Sequence, residues 1–224
     1  MSKLYDFQIN HTLDYTEQIF REAVNSKFSS EDVDGIIRAL GLAKEFHADQ
    51  VRADGSPYAV HPIRVALLAL EYNDPTADVL ITALLHDVLE ETTMTESEVI
   101  SHFGNDILAH VRDVTGCKSN YENEEDRRQR KLRHWQRIMA GNEVVRKVKV
   151  FDNLDNMISW KFIDSKSPNI RKISRWLMQA QEMFLPLAKI TNEQAYQASA
   201  SELEFYLKQG HKPGTWYSDP TTPS

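Results

Sequence analysis

ALLHDVLEE, residues 83–91, places an imidazole next to a carboxylate inside an otherwise apolar run. The apolar residues recur with helical spacing, so the run predicts a buried helix that carries both His86 and Asp87. An ionised carboxylate in such surroundings is costly unless a cation or a full set of hydrogen bonds offsets its desolvation. The pair therefore marks a core helix and a candidate metal-binding position.

Two further residues offer the same kinds of donor atom. His61 lies upstream in PYAVHP, and Asp152 lies downstream in KVFDNLDN. Delivered by three helices, these four side chains could surround one divalent cation, and mixed nitrogen and oxygen ligands suit Mn, Fe, Co or Zn. Positions left open would take water and a phosphate, as metal-assisted hydrolysis requires. The alternative is that His86 caps a neighbouring carbonyl and Asp87 pairs with an arginine.

Two acids follow the pair directly. Glu90 lies four residues after His86 and three after Asp87, so a helix would place it on their face. A carboxylate there could orient or deprotonate an attacking water. Alternatively, Glu90 and Glu91 simply end the helix in solvent, although acids at a helix C-terminus oppose its dipole.

Composition narrows the class of protein. The chain has 224 residues, 41% of them apolar, and a formal charge of −7, which argues against broad nucleic-acid binding. Its one cysteine, Cys117, permits neither an internal disulfide nor a cysteine-based zinc site. The N-terminus lacks a secretory pattern, and no stretch reaches the roughly 20 apolar residues of a membrane span. We therefore expect a cytoplasmic protein.

Helical periodicity dominates the whole chain, and we predict an all-α bundle of about ten helices. We expect an N-terminal helical extension over 1–30, one main domain over 31–209, and an irregular C-terminal tail over 210–224. The predicted helices cover 11–25, Ser29 or Ser30 to about Gln50, Pro62 to Asn73, a run capped by Thr76 that includes the His-Asp pair, a short helix with a Thr95–Glu98 capping box, 106–114, 142–157, 168–190 and 192–209. The strongly charged 118–134 segment is interpreted as a solvated loop and exposed helix rather than an interaction site.

Together these residues resemble the hydrolase domain of the RelA/SpoT family, within the HD phosphohydrolase superfamily. The resemblance is an ordered series that spans roughly residues 36–207. It runs through FHADQVR with His47 and Gln50, then RADGSPYAVHP, ALLHDVLEET, FGNDILAHV, KVKVFDNLDNM, MFLPLA and SELEFYL. It implies an HD-domain helical fold over 31–209 and a stand-alone small alarmone hydrolase of the stringent response. Such enzymes remove the 3′-pyrophosphate from (p)ppGpp, giving GDP or GTP and pyrophosphate, usually with Mn²⁺.

The resemblance also implies roles for individual residues. It makes His61, His86, Asp87 and Asp152 the metal ligands, and Glu90 and Glu91 the catalytic acids, with Glu91 in place of the usual Asp. The implied substrate-binding residues are Arg52, which would stack on guanine, together with Gly55, Tyr58, Lys149, Asn156 and Ser159. For Tyr58 a turn aromatic packed on the core, and for Lys149 a surface lysine, are the alternatives.

Two departures from the family pattern remove positive charge. Phe151-Asp152-Asn153 stands where Ala-Asp-Arg is usual, and Ala53 and Asp54 follow Arg52 where a basic residue is usual. This leaves open another nucleotide substrate, such as NADPH at its 2′-phosphate or a pyrophosphorylated tRNA end. A second alternative is a non-catalytic protein that senses nucleotide or, like an antitoxin, binds a toxin partner. The oligomeric state is not predicted.

Overall fold

The computed structural model describes residues 5–6, 11–72, 75–116 and 123–214, and these form a helical bundle. Among them no strand forms, and the only extended pairing is an isolated bridge between Val51 and Pro57. The predicted all-α class is confirmed. The α-helices are α1 (Leu13–Lys27), α2 (Ser30–Phe46), α3 (Val60–Tyr72), α4 (Ala77–Leu85), α5 (Val88–Glu91), α6 (Glu96–Val114), α7 (Glu124–Ala140), α8 (Glu143–Ser159), α9 (Ile173–Gln179), α10 (Leu185–Thr191) and α11 (Glu193–Lys208).

Two helices form the centre of the bundle. Every residue of α3 from Val60 to Leu70, and every residue of α4 from Val79 to Leu85, is buried. A helix that is apolar on all sides has no face for solvent, so it is surrounded by other helices. α4 packs against α2, α3 and α8, and α3 packs against α8 and α1. The segments that carry the candidate ligands therefore meet in the core.

Local capping signals in the sequence set most of the helix starts. Ser29, Thr76 and Asn142 each accept a hydrogen bond from a backbone N–H three residues ahead, as an N-cap does. The capping box of Thr95 and Glu98 forms as predicted. Gly104, at φ +82°, separates the helical turns after Thr95 from those that end at Val114, in agreement with two predicted helices there.

Two predicted helix ends are wrong. α2 ends at Phe46 rather than near Gln50, because the His47 ring pairs with the Gln50 side chain (2.7 Å) in a turn. The His-Asp pair does not lie within α4, which ends at Leu85. The His86 ring hydrogen-bonds the Ala83 carbonyl oxygen (2.7 Å), the acceptor that a continuing helix would offer to the Asp87 N–H. α5 then begins anew, with the Asp87 carbonyl accepting from the N–H groups of Glu90 and Glu91.

The predicted long helix over 168–190 is also divided. It consists of a 3₁₀ segment, Pro168–Lys172, then α9, a π-helical segment over Ala180–Phe184, and α10. Pro186 explains the change of pitch, since proline has no N–H and its ring clashes with the carbonyl four residues earlier. This part of the chain packs around a second, smaller core with Met157, Trp160 and Tyr206.

Some predictions fall on residues outside those described, namely the helix end at Asn73 and Asp74, Cys117, residues 118–122, and the tail over 215–224. The predicted domain boundaries at 30 and 209 stay predictions. Within the described parts of the chain, no helix has both the length and the apolar character needed to cross a bilayer.

Candidate metal centre and adjoining cavity

Three packed segments bring the four candidate ligands together. His61 lies in the first turn of α3, His86 and Asp87 occupy the break between α4 and α5, and Asp152 lies midway along α8. His61, His86 and Asp152 are buried, whereas the Asp87 side chain keeps 21% of its surface exposed. The cluster is therefore largely buried, and Asp87 is its most exposed member.

The donor atoms of this cluster lie at the spacing that one ion requires. The two Nε2 atoms of His61 and His86 are 3.2 Å apart. Asp152 Oδ1 lies 3.3 Å from the first and 3.7 Å from the second, and Asp87 Oδ2 lies 3.8 Å and 3.3 Å from them. Donors about 2.1 Å from a shared ion in tetrahedral arrangement are separated by about 3.4 Å. His61, His86 and Asp152 each offer one atom within 4.8 Å of the others, so a single divalent ion fits among these three, and Asp87 Oδ2 lies beside both imidazoles as the candidate fourth ligand.

Hydrogen bonds on the far side of each ring aim the lone pairs inward. His86 Nδ1 donates to the Ala83 carbonyl oxygen, and His61 Nδ1 donates to Asp155 Oδ2, each at 2.7 Å. Both Nε2 atoms are then unprotonated in the neutral rings, and their lone pairs face each other. Two lone pairs at 3.2 Å repel unless a proton or a metal ion lies between them, so the paired rings are built to share one cation.

The ionisable groups of the cluster strongly shift one another's pKa values. Burial raises the pKa of Asp87 and of Asp152, but neighbouring positive groups outweigh it, chiefly His86 for Asp87 and Lys149 for Asp152. Both pKa values lie below their usual range, so both carboxylates are ionised at neutral pH. Burial lowers the pKa of His86, yet the carboxylates of Asp87 and Asp152 bring it to about 9 without a metal. The two carboxylates therefore hold a proton on His86 at neutral pH, and a metal ion that binds there must displace it.

A buried ion pair behind the cluster was missed by sequence reasoning. Asp155, fully buried, accepts hydrogen bonds from Arg64 Nε (2.8 Å) and Nη2 (3.1 Å) as well as from His61. A carboxylate that holds the outer nitrogen of a ligand histidine fixes the tautomer and the orientation of the ring. The available signal was Arg64 itself, since a lone arginine in the apolar run HPIRVALLAL must meet an acid.

The two predicted catalytic acids lie on α5, next to the ligands. Glu90 Oε2 accepts a hydrogen bond from the backbone N–H of Gly116 (2.9 Å), which ties it to the end of α6. A methyl group at Gly116 would come within 2.8 Å of that oxygen, so the Glu90 carboxylate can keep this position only beside a glycine. The Glu91 backbone carbonyl accepts from Gln50 Nε2 (2.5 Å), which anchors the end of α5 to the turn after α2.

A cavity of about 370 Å³ opens beside Asp152. Of the six residues predicted to bind substrate, four line it: Arg52, Lys149, Asn156 and Ser159. Aromatic and aliphatic side chains form other parts of its wall, among them Trp160, Ile163, Trp176 and Phe184. A mixed wall of this kind suits a flat ring held by a few polar groups.

Hydrogen bonds connect the cavity wall to the candidate ligands. Arg52 Nη2 donates to Asn156 Oδ1 (2.7 Å), and Asn156 Nδ2 donates to Asp152 Oδ1 (2.6 Å). Lys149 Nζ donates to the other oxygen, Asp152 Oδ2 (2.6 Å). Burial lowers the pKa of Lys149, but Asp152 more than offsets this and leaves it raised, so Lys149 stays charged. Positive charge is therefore fixed at the edge of the cluster.

The other two predicted substrate residues do not line the cavity. Gly55, at φ +86°, closes the turn that carries Arg52, with its N–H donating to the Arg52 carbonyl. Tyr58 stacks on His47 at 4.6 Å between ring centres, and its hydroxyl donates to Asp87 Oδ2 (2.7 Å). Burial, with Asp87 beside it, raises the pKa of Tyr58, so the hydroxyl stays protonated. Tyr58 thus orients a candidate ligand, a contact that the sequence did not indicate.

The charged helix α7 turns part of its positive face toward the cluster. Burial, together with the nearby charges of Arg175, Arg130, Arg127 and Lys149, lowers the pKa of Lys131 to about 8. His134, expected on the surface, is half-buried, and burial with Lys149 beside it lowers its pKa to about 3. Lys131 therefore brings positive charge near Lys149 from α7, while other charged side chains of this helix, such as Asp126, Arg127 and Arg133, are exposed as predicted.

Known proteins are similar to this chain over most of its described length. Residues 39–190 match a family model described as an HD domain. The chain is 33% identical over 173 residues to a probable guanosine-3′,5′-bis(diphosphate) 3′-pyrophosphohydrolase of Mycoplasma pneumoniae, covering 72% of this chain and 23% of that one. It is 37% identical over 157 residues to the guanosine-3′,5′-bis(diphosphate) 3′-pyrophosphohydrolase of Aquifex aeolicus, covering 68% and 21%. The chain thus spans only about a fifth of the length of these relatives.

A solved structure covers more of both chains. It is described as a metazoan ortholog of SpoT that hydrolyzes ppGpp and plays a role in starvation responses. It has a TM-score of 0.63 and 25% identity, and the alignment covers 79% of this chain and 96% of that one. The predicted fold is confirmed over this length. With a family model that matches most of its residues, the chain belongs to the HD domain family.

Proposed function

We propose that this chain is a metal-dependent hydrolase that removes the 3′-pyrophosphate from (p)ppGpp, giving GDP or GTP and pyrophosphate, with Mn²⁺ as its ion. The observation that carries the proposal is the meeting of two imidazoles with the carboxylate of Asp152, which also lines the adjoining cavity. The names of the relatives support the choice of substrate.

His61, His86, Asp87 and Asp152 would hold the ion. A bound divalent ion would supply Lewis-acid chemistry, lowering the pKa of a water and neutralising charge at phosphorus. Glu90 would orient that water or accept its proton, because Gly116 holds its carboxylate in place beside the ligands. Glu91 would assist from the same short helix.

The cavity wall would bind the nucleotide. Arg52 would stack on the guanine, since Asn156 holds one edge of the guanidinium and the Tyr58 ring lies 5.5 Å away. Asn156 and Ser159 would lie near the sugar. Lys149, with Lys131 of α7 behind it, would attract the diphosphates.

The direct test is incubation of the purified protein with ppGpp and Mn²⁺, with separation of the nucleotides and an assay for pyrophosphate. We expect GDP and pyrophosphate in equal amounts, and no turnover after a chelator removes the ion. Asp87→Ala and Asp152→Asn should each abolish turnover, whereas Asp113→Asn, at a surface carboxylate, should not. Metal-dependent turnover that survives both ligand substitutions would refute the proposal.

Another nucleotide is the second candidate, and Asn153 and Ala53 are the observations that favour it. Both line the cavity without the positive charge that a polyphosphate attracts. A panel of ppGpp, pppGpp, NADPH and a pyrophosphorylated tRNA, assayed side by side, separates the candidates by kcat/KM. A value for NADPH or the tRNA well above that for ppGpp would move the assignment to that substrate.

A further inference from the structure

The candidate metal centre has a contact from far outside the matched domain. Tyr5 is buried, with 3% of its surface exposed, although it lies more than thirty residues before the residues that match the HD domain. Its hydroxyl donates to Asp155 Oδ1 at 2.8 Å, and its backbone N–H donates to Glu71 Oε2 at 2.6 Å. The residue is therefore held at both ends in one defined place.

Asp155 has its full set of donors only when Tyr5 is present. Oδ1 accepts from Tyr5 and from Arg64 Nε, while Oδ2 accepts from His61 Nδ1 and from Arg64 Nη2. The Asp155 side chain has no exposed surface, so bulk water does not reach it. A buried carboxylate that loses a hydrogen-bond donor is either destabilised, because nothing offsets its desolvation, or rotates toward the donors that remain. Any rotation moves the oxygen that holds His61.

We propose that Tyr5 is a positioning residue of the metal centre: it fixes the Asp155 carboxylate, which in turn aims His61 Nε2 at the ion. The chain before α1 would then contribute to metal affinity without touching the ion. The inference rests on the proposed metal site.

Two effects of removing the hydroxyl have opposite signs. When Asp155 loses one hydrogen-bond donor, its negative charge acts more strongly on the Nδ1–H of His61. This effect alone would make the imidazole more basic and a better metal ligand. The loss of orientation weakens metal binding, and we expect this effect to be the larger one, because the His61 donor must meet those of His86 and Asp152 at one point. Removing a direct partner of a ligand costs roughly 10- to 100-fold in affinity. Tyr5 acts one step further out, so we expect a loss of roughly three- to tenfold.

The test compares Mn²⁺ binding to the full-length wild type, Tyr5→Phe and Tyr206→Phe by calorimetry and by the electron paramagnetic resonance signal of free Mn²⁺. Tyr206 is the matched control, since it is equally buried and its hydroxyl donates to the Met157 carbonyl at 2.9 Å, away from Asp155. Both substitutions should lower the thermal stability. Only Tyr5→Phe should weaken Mn²⁺ binding.

A second measurement reads the position of His61 directly. In the Zn²⁺-loaded protein, the Nδ1–H proton of His61 should give a slowly exchanging NMR resonance, and Tyr5→Phe should speed its exchange with solvent. Unchanged or tighter Mn²⁺ binding by Tyr5→Phe, or an equal loss in Tyr206→Phe, overturns the role of Tyr5 and leaves the proposed function intact. Failure of the wild type to bind Mn²⁺ overturns the metal site and the positioning role together.

Discussion

Gly116→Ala tests the catalytic role of Glu90 without removing any side chain of the site. The new methyl group would lie 2.8 Å from Glu90 Oε2 and 3.4 Å from both Cδ and Oε1 of the same carboxyl group. An ordinary contact between these atoms is about 3.4 Å or more, so the carboxylate must retreat by roughly 0.6 Å. The hydrogen bond from the Gly116 N–H, now 2.9 Å, would lengthen or break.

The expected effect is on the rate rather than on folding. The atom that must move is the end of a flexible side chain, so the thermal stability should change little. A displacement of about 1 Å at a reacting group costs on the order of 10²-fold in rate, so about 0.6 Å should lower kcat roughly tenfold. This is close to 1.4 kcal/mol in the activation free energy. Mn²⁺ affinity should not change, because Glu90 is not among the proposed ligands.

The assay is steady-state hydrolysis of ppGpp at saturating Mn²⁺, together with calorimetric Mn²⁺ binding. Gly41→Ala is the matched control, since a methyl group at Gly41 meets no atom within 4 Å. It should leave kcat unchanged. If Gly116→Ala retains kcat within about twofold of wild type while Glu90→Gln loses roughly 10²-fold or more, the displacement argument is wrong. If both retain it, Glu90 is not catalytic.

Three further outcomes follow from the charges of the site. Arg64→Ala should lower the unfolding free energy by roughly 3 to 5 kcal/mol in urea titrations, because it leaves Asp155 buried without its cation, and a loss below about 1 kcal/mol would contradict this. Burial lowers the pKa of His86, but the carboxylates of Asp87 and Asp152 raise it to about 9. Mn²⁺ must therefore displace a proton from this ring at neutral pH. Apparent Mn²⁺ affinity should therefore fall about tenfold per unit as the pH drops below about 9, and a flat profile in calorimetric titrations would mean that Mn²⁺ displaces no proton from His86. Lys131→Gln should raise the KM for ppGpp several-fold at low salt and less at high salt. Arg133→Gln, on the exposed side of α7, should leave the KM unchanged. Equal effects of the two substitutions would mean that only the net charge of the protein matters.

Much of the fold could be predicted from local signals. The caps at Ser29, Thr76 and Asn142 act within three residues, and the apolar runs of α3 and α4 determine that these helices are buried. The errors lie where a tertiary contact competes with the local pattern. The His86 ring takes the Ala83 carbonyl from the helix and ends α4 at the candidate site itself.

The sequence by itself determined the class of fold and the chemical types of the candidate ligands, because helical periodicity and the identity of a donor atom are properties of neighbouring residues. Only the tertiary structure decided how those donors are aimed. Asp155 meets Arg64 across 91 residues of chain and Tyr5 across 150, and the charge of Lys149 on α8 lowers the pKa of Lys131 on α7. Such contacts depend on the relative placement of packed helices, which no spacing of three or four residues encodes.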